Sequence, residues 1–410
     1  MKAYERLMKY AAYATASNED NECCPSTPSQ FAFAEDLAEE LKAVGLSEVS
    51  LDKNGYLFAT LPATKGCEKA PVIGFIAHMD VSPEVEDKNV KPRLIEYNGG
   101  DIVVNEALGV VTEEKEFPFL KNYIGKHLVI TDGTTLLGAD DKAGIAEIIT
   151  ACEKMLADPN AVHGKIRIGF TPDEEIGRGA DLFDVERFGA KYAYTLDGAA
   201  FGEVEYETFN AAALKVTVNG KSIHPGSAKY KMVNASIVAA EYIGLLPPLE
   251  RPEYTEGYEG FYHVTGIESG VEKAKISIIL RDHDLKKLEE KKEYARRVAE
   301  ELNRRYGAGT VEIEIKDSYR NMCEKILPEK HLIDRAYEAV RSLGGEPVSV
   351  PVRGGTDGSR LSFMGLPCPN LGTGSHNHHG KREFACAEAM EDCADLLIAL
   401  AKAYAHDTDC

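Results

Sequence analysis

No run of about 18 uncharged apolar residues occurs anywhere in the chain, so no helix long enough to span a bilayer is expected. No CxxC pair is present; of the nine cysteines only Cys23 and Cys24 lie close together. An odd, scattered set of thiols argues against a disulfide framework or a zinc-thiolate site and for a reducing cytoplasm. Basic charge is also in deficit. A formal net charge of -20 removes the positive surface that nucleic-acid binders present, and leaves small substrates as the natural partners. Low-complexity tracts and repeats of solenoid period are missing too. The first twenty residues lack the uninterrupted apolar core of a signal peptide: Tyr4, Leu7, Met8 and Ala11 recur at helical spacing between Glu5, Arg6 and Lys9.

What is present is a chain of 410 residues with 44% hydrophobic and 28% charged content, ordinary for a globular protein of two or three domains. Short apolar runs at 71–77 (PVIGFIA), 165–170 (KIRIGF) and 191–196 (KYAYTL) read as strands. Between the first two, Ile145, Ile148, Ile149, Cys152 and Leu156 mark one face of a helix over 143–156. Strands alternating with helices predict an α/β domain with a mainly parallel sheet, whose ligands gather at the carboxyl ends of the strands. From Phe209 the pattern changes. Strand-like segments at 212–218, 261–266, 275–281 and 310–315, with helices at 234–246 and 285–306, follow the order β-α-β-β-α-β of a ferredoxin-like unit. The prediction is an inserted lid or dimerisation domain over 208–318, within a discontinuous catalytic domain of residues 1–207 and 319–410.

Polar residues that could carry chemistry follow those apolar runs. His78 and Asp80 stand two apart at a strand end and so share a face; an imidazole ligand commonly needs such an oxygen partner. Asp140 and Asp141 precede the predicted helix, where one aspartate satisfies the cap and leaves the other available to a cation. Asp173, Glu174 and Glu175 form an acidic run after the next strand, a costly arrangement unless cations or solvent screen it. Asp197 ends a third strand. Far downstream, residues 375–380 (SHNHHG) place His376, His378 and His379 within four positions. Each feature alone has an ordinary structural explanation. Their recurrence at successive strand ends predicts a mixed N/O site for zinc, cobalt or manganese, with the ligating histidine of the last cluster left open.

IGFIAHMDVSP, TDGTTLLGADDKAGIAEI, FTPDEEIGRGA, NGKSIHPGSAK, TEGYEGFYH, RGGTDGSRLSFMGLPCPNLGTG and HHGKREF occur in the order found in the M20 family of co-catalytic zinc peptidases, and the chain resembles that family over essentially its whole length. The resemblance, strongest to tripeptide aminopeptidases, implies two Zn2+ per subunit, with Co2+ or Mn2+ as substitutes. It implies that His78, Asp140 and Asp197 belong around one or both metals with Asp140 bridging, and that Glu175 and His379 complete the shell of the second metal. Asp80 would orient the His78 ring, and Glu174 would be the general base. His224 of the inserted domain would approach the oxyanion, in relatives from a neighbouring subunit. The substrate carboxylate suits a guanidinium, for which Arg281 and Arg353 are the candidates, with Asn234 adding a hydrogen bond. The family more usually carries aromatic residues where this chain has His376 and His378, which bears on metal selectivity. Two rival readings share these motifs: another M20 amidohydrolase (a dipeptidase, carboxypeptidase or N-acyl-amino-acid deacylase), and an inactive peptide-binding relative.

Overall fold

The computed structural model describes residues 1–407 and divides into two compact units. The first comprises Met1–Tyr206, Glu324–Val350 and Thr356–Cys410; the second comprises Glu207–Cys323 and Pro351–Gly355. No described helix is long and apolar enough to cross a membrane.

The first unit is built on a seven-stranded sheet. In chain order its strands are β1 (Ser47–Leu51), β2 (Leu57–Leu61), β3 (Ile73–His78), β4 (Ile166–Thr171), β5 (Tyr192–Gly198), β6 (Val204–Glu205) and β7 (Asn370–Gly372). Their spatial order is β1-β2-β4-β3-β5-β7-β6. Parallel pairing is confined to the centre, β4-β3-β5-β7, while β1, β2 and β6 join antiparallel at the edges. A short turn between β1 and β2 forces that pair to be antiparallel, whereas β3, β4 and β5 are joined by connections long enough to cross over. β3 and β4 are buried at every residue, which is why they read as unbroken apolar runs.

From β3 the chain reaches β4 on one side and then β5 on the other, so β3 marks a switch point in the sheet. A crevice beyond the carboxyl ends of the strands is the expected consequence. Helix α1 (Ala139–Ala157) crosses behind and is enclosed on nearly all sides. The expected one-sided apolar face is therefore incomplete: Leu156 is exposed, whereas Met155 is buried with the isoleucines. A smaller antiparallel sheet joins Arg93–Tyr97, Lys126–Ile130, Phe384–Cys386 and Ser375–His376 in sequence of pairing, and carries the histidine cluster.

The second unit has four antiparallel strands in the order Phe261–Ser269, Lys273–Asp282, Asn210–Asn219, Val311–Tyr319. Helices Ala235–Leu245 and Leu285–Tyr306 cover it, giving β-α-β-β-α-β along the chain. Lys273–Asp282 alternates exposed and buried positions, sending Ile276, Ile278 and Leu280 into a core with Leu214, Val216, Tyr242 and Leu302. That alternation is what a sheet with one packed face requires.

Candidate metal centre

His78 is the last residue of β3. Its backbone N–H donates to Asp141 Oδ2 at 3.1 Å, and its Nδ1 lies 3.0 Å from the carbonyl oxygen of Asp80. A carbonyl can only accept, so Nδ1 carries a proton and Nε2 is the ring atom that faces Asp140. The Asp80 carboxylate is farther from the ring, at 3.4 Å, and has other work. Its Oδ1 accepts the Glu174 amide at 2.9 Å and its Oδ2 the Glu175 amide at 3.1 Å. Asp80 thus orients the imidazole through its main chain and ties the acidic turn after β4 to the end of β3 through its side chain.

The three consecutive acids of that turn separate by environment. Asp173, with φ of 58°, turns inward to accept from Ser26 N (2.7 Å), Ser26 Oγ (2.5 Å) and Gln30 Nε2 (2.7 Å). Glu174 and Glu175 are left for the crevice. The aspartate pair, joined by a cis peptide bond, divides in the same way. Asp141 is fully buried, accepting Gly144 N at 3.2 Å as a helix cap as well as the His78 amide. Gly144 has to be glycine, because a Cβ there would stand 2.3 Å from Leu196 O and 2.5 Å from Asp141 Oδ1. Asp140 is the one that faces the crevice.

Its two oxygens look toward different partners. Oδ1 lies 2.9 Å from His78 Nε2, which is itself 3.4 Å from Asp197 Oδ1. Oδ2 lies 3.2 Å from His379 Nε2, which is 2.8 Å from Glu175 Oε2. Donor atoms of His78, Asp140 and Glu175, and likewise of His78, Asp141 and Asp197, fall within 4.8 Å of one another. In the second group Asp141 is already engaged by two N–H groups, so Asp140 is the better-placed carboxylate on both sides.

Electrostatics favour a cation here. Burial pushes Glu174 well above the usual carboxylate range, with Asp197 adding to the effect. Burial, then Asp140, pushes Glu175 up to about 7. Burial would lower the His78 imidazole, yet Asp197, Asp140 and Asp80 together hold it well above its ordinary value. Contacts with Asp140 and Glu175 raise His379 to about 11. Carboxylates that resist losing their protons and imidazoles that resist giving theirs up are short of positive charge, which a divalent ion supplies. Glu175 Oε1 is buried without a hydrogen-bond partner, as suits an oxygen donor to a cation. The residues present therefore fit a metal held by nitrogen and oxygen donors.

Residues matching peptidase family M20/M25/M40 run from 128 to 403. The chain belongs to that family. It is 54% identical over 404 residues to peptidase T of Caldanaerobacter subterraneus subsp. tengcongensis, spanning 98% of each chain. It is 52% identical over 404 residues to peptidase T of Bacillus licheniformis, again over 98% of each. Among solved structures, aminopeptidase PepT of Bacillus cereus shares the fold with a TM-score of 0.77 at 24% identity, over 98% of this chain and 97% of that one. A dinuclear metal-binding M20 peptidase of Bacillus subtilis shares it at 0.65 and 16%, over 98% of each. As an M20 member the chain is a peptidase-class hydrolase, and the end of β3 is where the side chains that could hold a metal gather.

Some residues that shape this M20 site escaped the sequence reading. Glu383 is buried and accepts three backbone amides: Leu137 and Gly138 on Oε2 (2.7 and 2.8 Å) and Asp140 on Oε1 (3.1 Å). Asn370 accepts the Asp197 amide at 2.9 Å and donates to Glu205 at 2.6 Å. Asp357, in the GGTDG segment, is buried with one oxygen lacking a partner and is pushed by burial up to about 7. Glu383 and Asn370 lie within the HHGKREF and RGGTDGSRLSFMGLPCPNLGTG segments, where nothing singled them out; they meet the site through contacts with backbone amides far away in the chain.

The four remaining predicted residues lie in the second unit. Exposed His224 accepts the amide of Gly226 at 3.2 Å, and Asn234 caps helix Ala235–Leu245 by accepting Ser236 N at 3.0 Å. Arg353 donates to Gly257 O, Glu259 O and Thr255 Oγ1 at 2.8–2.9 Å, its guanidinium near the Phe209 and Phe261 rings. Arg281 donates to the Arg353 carbonyl at 3.3 Å, packs near the Tyr319 ring and keeps a buried Nε without a partner.

Proposed function

We propose that the chain is a two-zinc aminopeptidase that removes the N-terminal residue of tripeptides. The observation that carries the reading is Asp140, whose two oxygens face two different imidazole–carboxylate pairs. His78, Asp140 and Asp197 would hold one metal, and Asp140, Glu175 and His379 the other, with Co2+ or Mn2+ as substitutes. When bound, such ions polarise a carbonyl oxygen and lower the pKa of water.

The protein's own groups do the rest. Asp80 fixes the backbone of Glu174, so that its carboxylate is held in place. Burial and Asp197 make that carboxylate a stronger base than a free glutamate. Glu174 takes the proton of the attacking water and returns it to the departing amine. Arg281 has guanidinium capacity to spare and is assigned to the substrate carboxylate, with His224 and Asn234 on the same unit. Arg353 holds the 255–259 segment through its three donated bonds, and its share in carboxylate binding is through that loop. Cytoplasmic residence is supported by the free thiols of all eight described cysteines, and the inserted unit is assigned to dimer formation.

The test is metal analysis of protein purified without chelators, followed by a panel of two- to four-residue peptides with free and blocked ends. Two equivalents of zinc and hydrolysis of free tripeptides are expected. Rapid cleavage of an N-acetylated peptide, with its free counterpart untouched, would replace the aminopeptidase by a deacylase on the same scaffold.

A further inference from the structure

The three histidines of the SHNHHG segment have three different fates. His376 stacks on Phe119 with ring centroids 4.6 Å apart and meets Tyr123 Oη at 2.5 Å, as a core side chain. His379 faces Asp140 and Glu175. His378 is the one without an assigned task, and its surroundings define which ring nitrogen faces Asp140.

Thr373 Oγ1 lies 2.9 Å from the carbonyl oxygen of Gly198, 2.7 Å from Ser375 Oγ, and Ser375 Oγ lies 2.8 Å from His378 Nε2. A carbonyl can only accept, so the Thr373 hydroxyl gives it its single proton. Ser375 must then donate to Thr373, and His378 Nε2–H to Ser375. All three contacts are satisfied with this one polarity. With Nε2 donating, Nδ1 is the ring nitrogen left to face Asp140 Oδ2, from 3.5 Å. That separation is long for an N–H bond to a carboxylate, which runs to about 2.7–2.9 Å. It matches two ligands of one tetrahedral zinc, which at bond lengths near 2.1 Å stand roughly 3.4 Å apart.

We infer that His378 Nδ1 is an additional metal-facing donor on the His379–Glu175 side of Asp140, held in its ligating tautomer by the Ser375–Thr373–Gly198 chain. The inference rests on the two-metal reading above and adds a nitrogen to only one half of it. An extra imidazole on that half strengthens its hold on a borderline metal and shifts it toward zinc, cobalt or copper over magnesium.

The experiment titrates metal-free, full-length protein with Co2+, followed by visible absorption and calorimetry. Wild type is expected to bind two equivalents. His378→Phe, and His378→Ala as a smaller alternative, should weaken one step by about tenfold or more, change its absorption, and leave the other step alone. Ser375→Ala should weaken the same step to a lesser degree. Unchanged binding steps and spectrum in both His378 variants, with wild-type melting of the metal-free proteins, would overturn the inference and leave the two-metal reading standing. Equal weakening of both steps would also overturn it, making His378 a clamp on the bridging Asp140. Wild type that binds no Co2+ would remove both readings together.

Discussion

In the first unit, β3 and β4 are buried along their whole length; apart from Arg167 near the start of β4, their polar side chains lie at or just past their last residues: His78, Asp80, and the 173–175 turn. In the second unit, Lys273–Asp282 alternates between exposed and buried, and its polar residues are spread along the strand. The functional candidates follow the same division. Those of the first unit converge on Asp140 with donor atoms 2.8–3.4 Å apart. Those of the second are each engaged locally: Asn234 in a cap, Arg353 on a loop, His224 in its own turn. A fully buried parallel strand favours polar groups at its end, where a crevice can solvate or ligate them, so such groups are concentrated by topology. A half-exposed antiparallel strand imposes no such focus, and each polar residue there has to be judged by its own partners.

The comparison is sharpened most by Glu174→Gln, which keeps the shape of the rim and removes its base. Turnover should fall by about 10²–10⁴-fold while metal content stays at the wild-type level. Unchanged turnover would detach the first unit's convergence from catalysis.

Glu383→Ala tests whether the rim depends on a group to which the sequence reading gave no role. It frees three backbone amides around Gly138 and Asp140, and metal affinity should drop by about 10–100-fold. Competition with a chelator measures it, and affinity equal to wild type would make Glu383 a bystander.

A third change lies behind the rim. Glu147 on α1 is buried with both oxygens unpartnered, and burial raises its carboxyl well above the usual range. A raised carboxyl favours the folded state most below the unfolded pKa, near 4.5 by its ordinary value. Its contribution is lost as pH climbs from there toward the folded value. Glu147→Gln should therefore gain stability relative to wild type as pH rises, with the two melting temperatures converging in acid. A constant difference between them across pH would show that Glu147 does not titrate on folding.

The smallest effect is expected in the second unit. Asn234→Ala removes the cap of Ala235–Leu245 and should cost about 1 kcal/mol, read as a lower melting temperature. If KM for a tripeptide rises more than stability falls, Asn234 also touches substrate, and the second unit is less local than its hydrogen bonds indicate.

The strands and helices of both units were legible because their periods differ: unbroken apolar runs for β3 to β5, alternation for the inserted sheet, and a 3.6-residue repeat in Leu285–Tyr306. Antiparallel edges were not, since pairing direction at β1, β2 and β6 is decided by neighbours rather than by the strand itself. Leu156 was misplaced for a related reason: at the last turn of an enclosed helix, burial depends on what packs there.

For the candidate site, residue types and their order at strand ends came from the sequence alone, as did the expectation that one of two adjacent aspartates would cap a helix. Tertiary structure decided that Asp141 caps and Asp140 faces the crevice, that Asp80 acts by its carbonyl on His78 and by its carboxylate on the 174–175 amides, and that His376 belongs to an aromatic core. Those choices rest on partners far away in the chain: Glu383 against Leu137, Gly138 and Asp140, and Asn370 against Asp197. Spacing encodes which side chains share a strand end or a helix face. Which of them is left free for a metal is settled only when the buried backbone amides have claimed the oxygens they need.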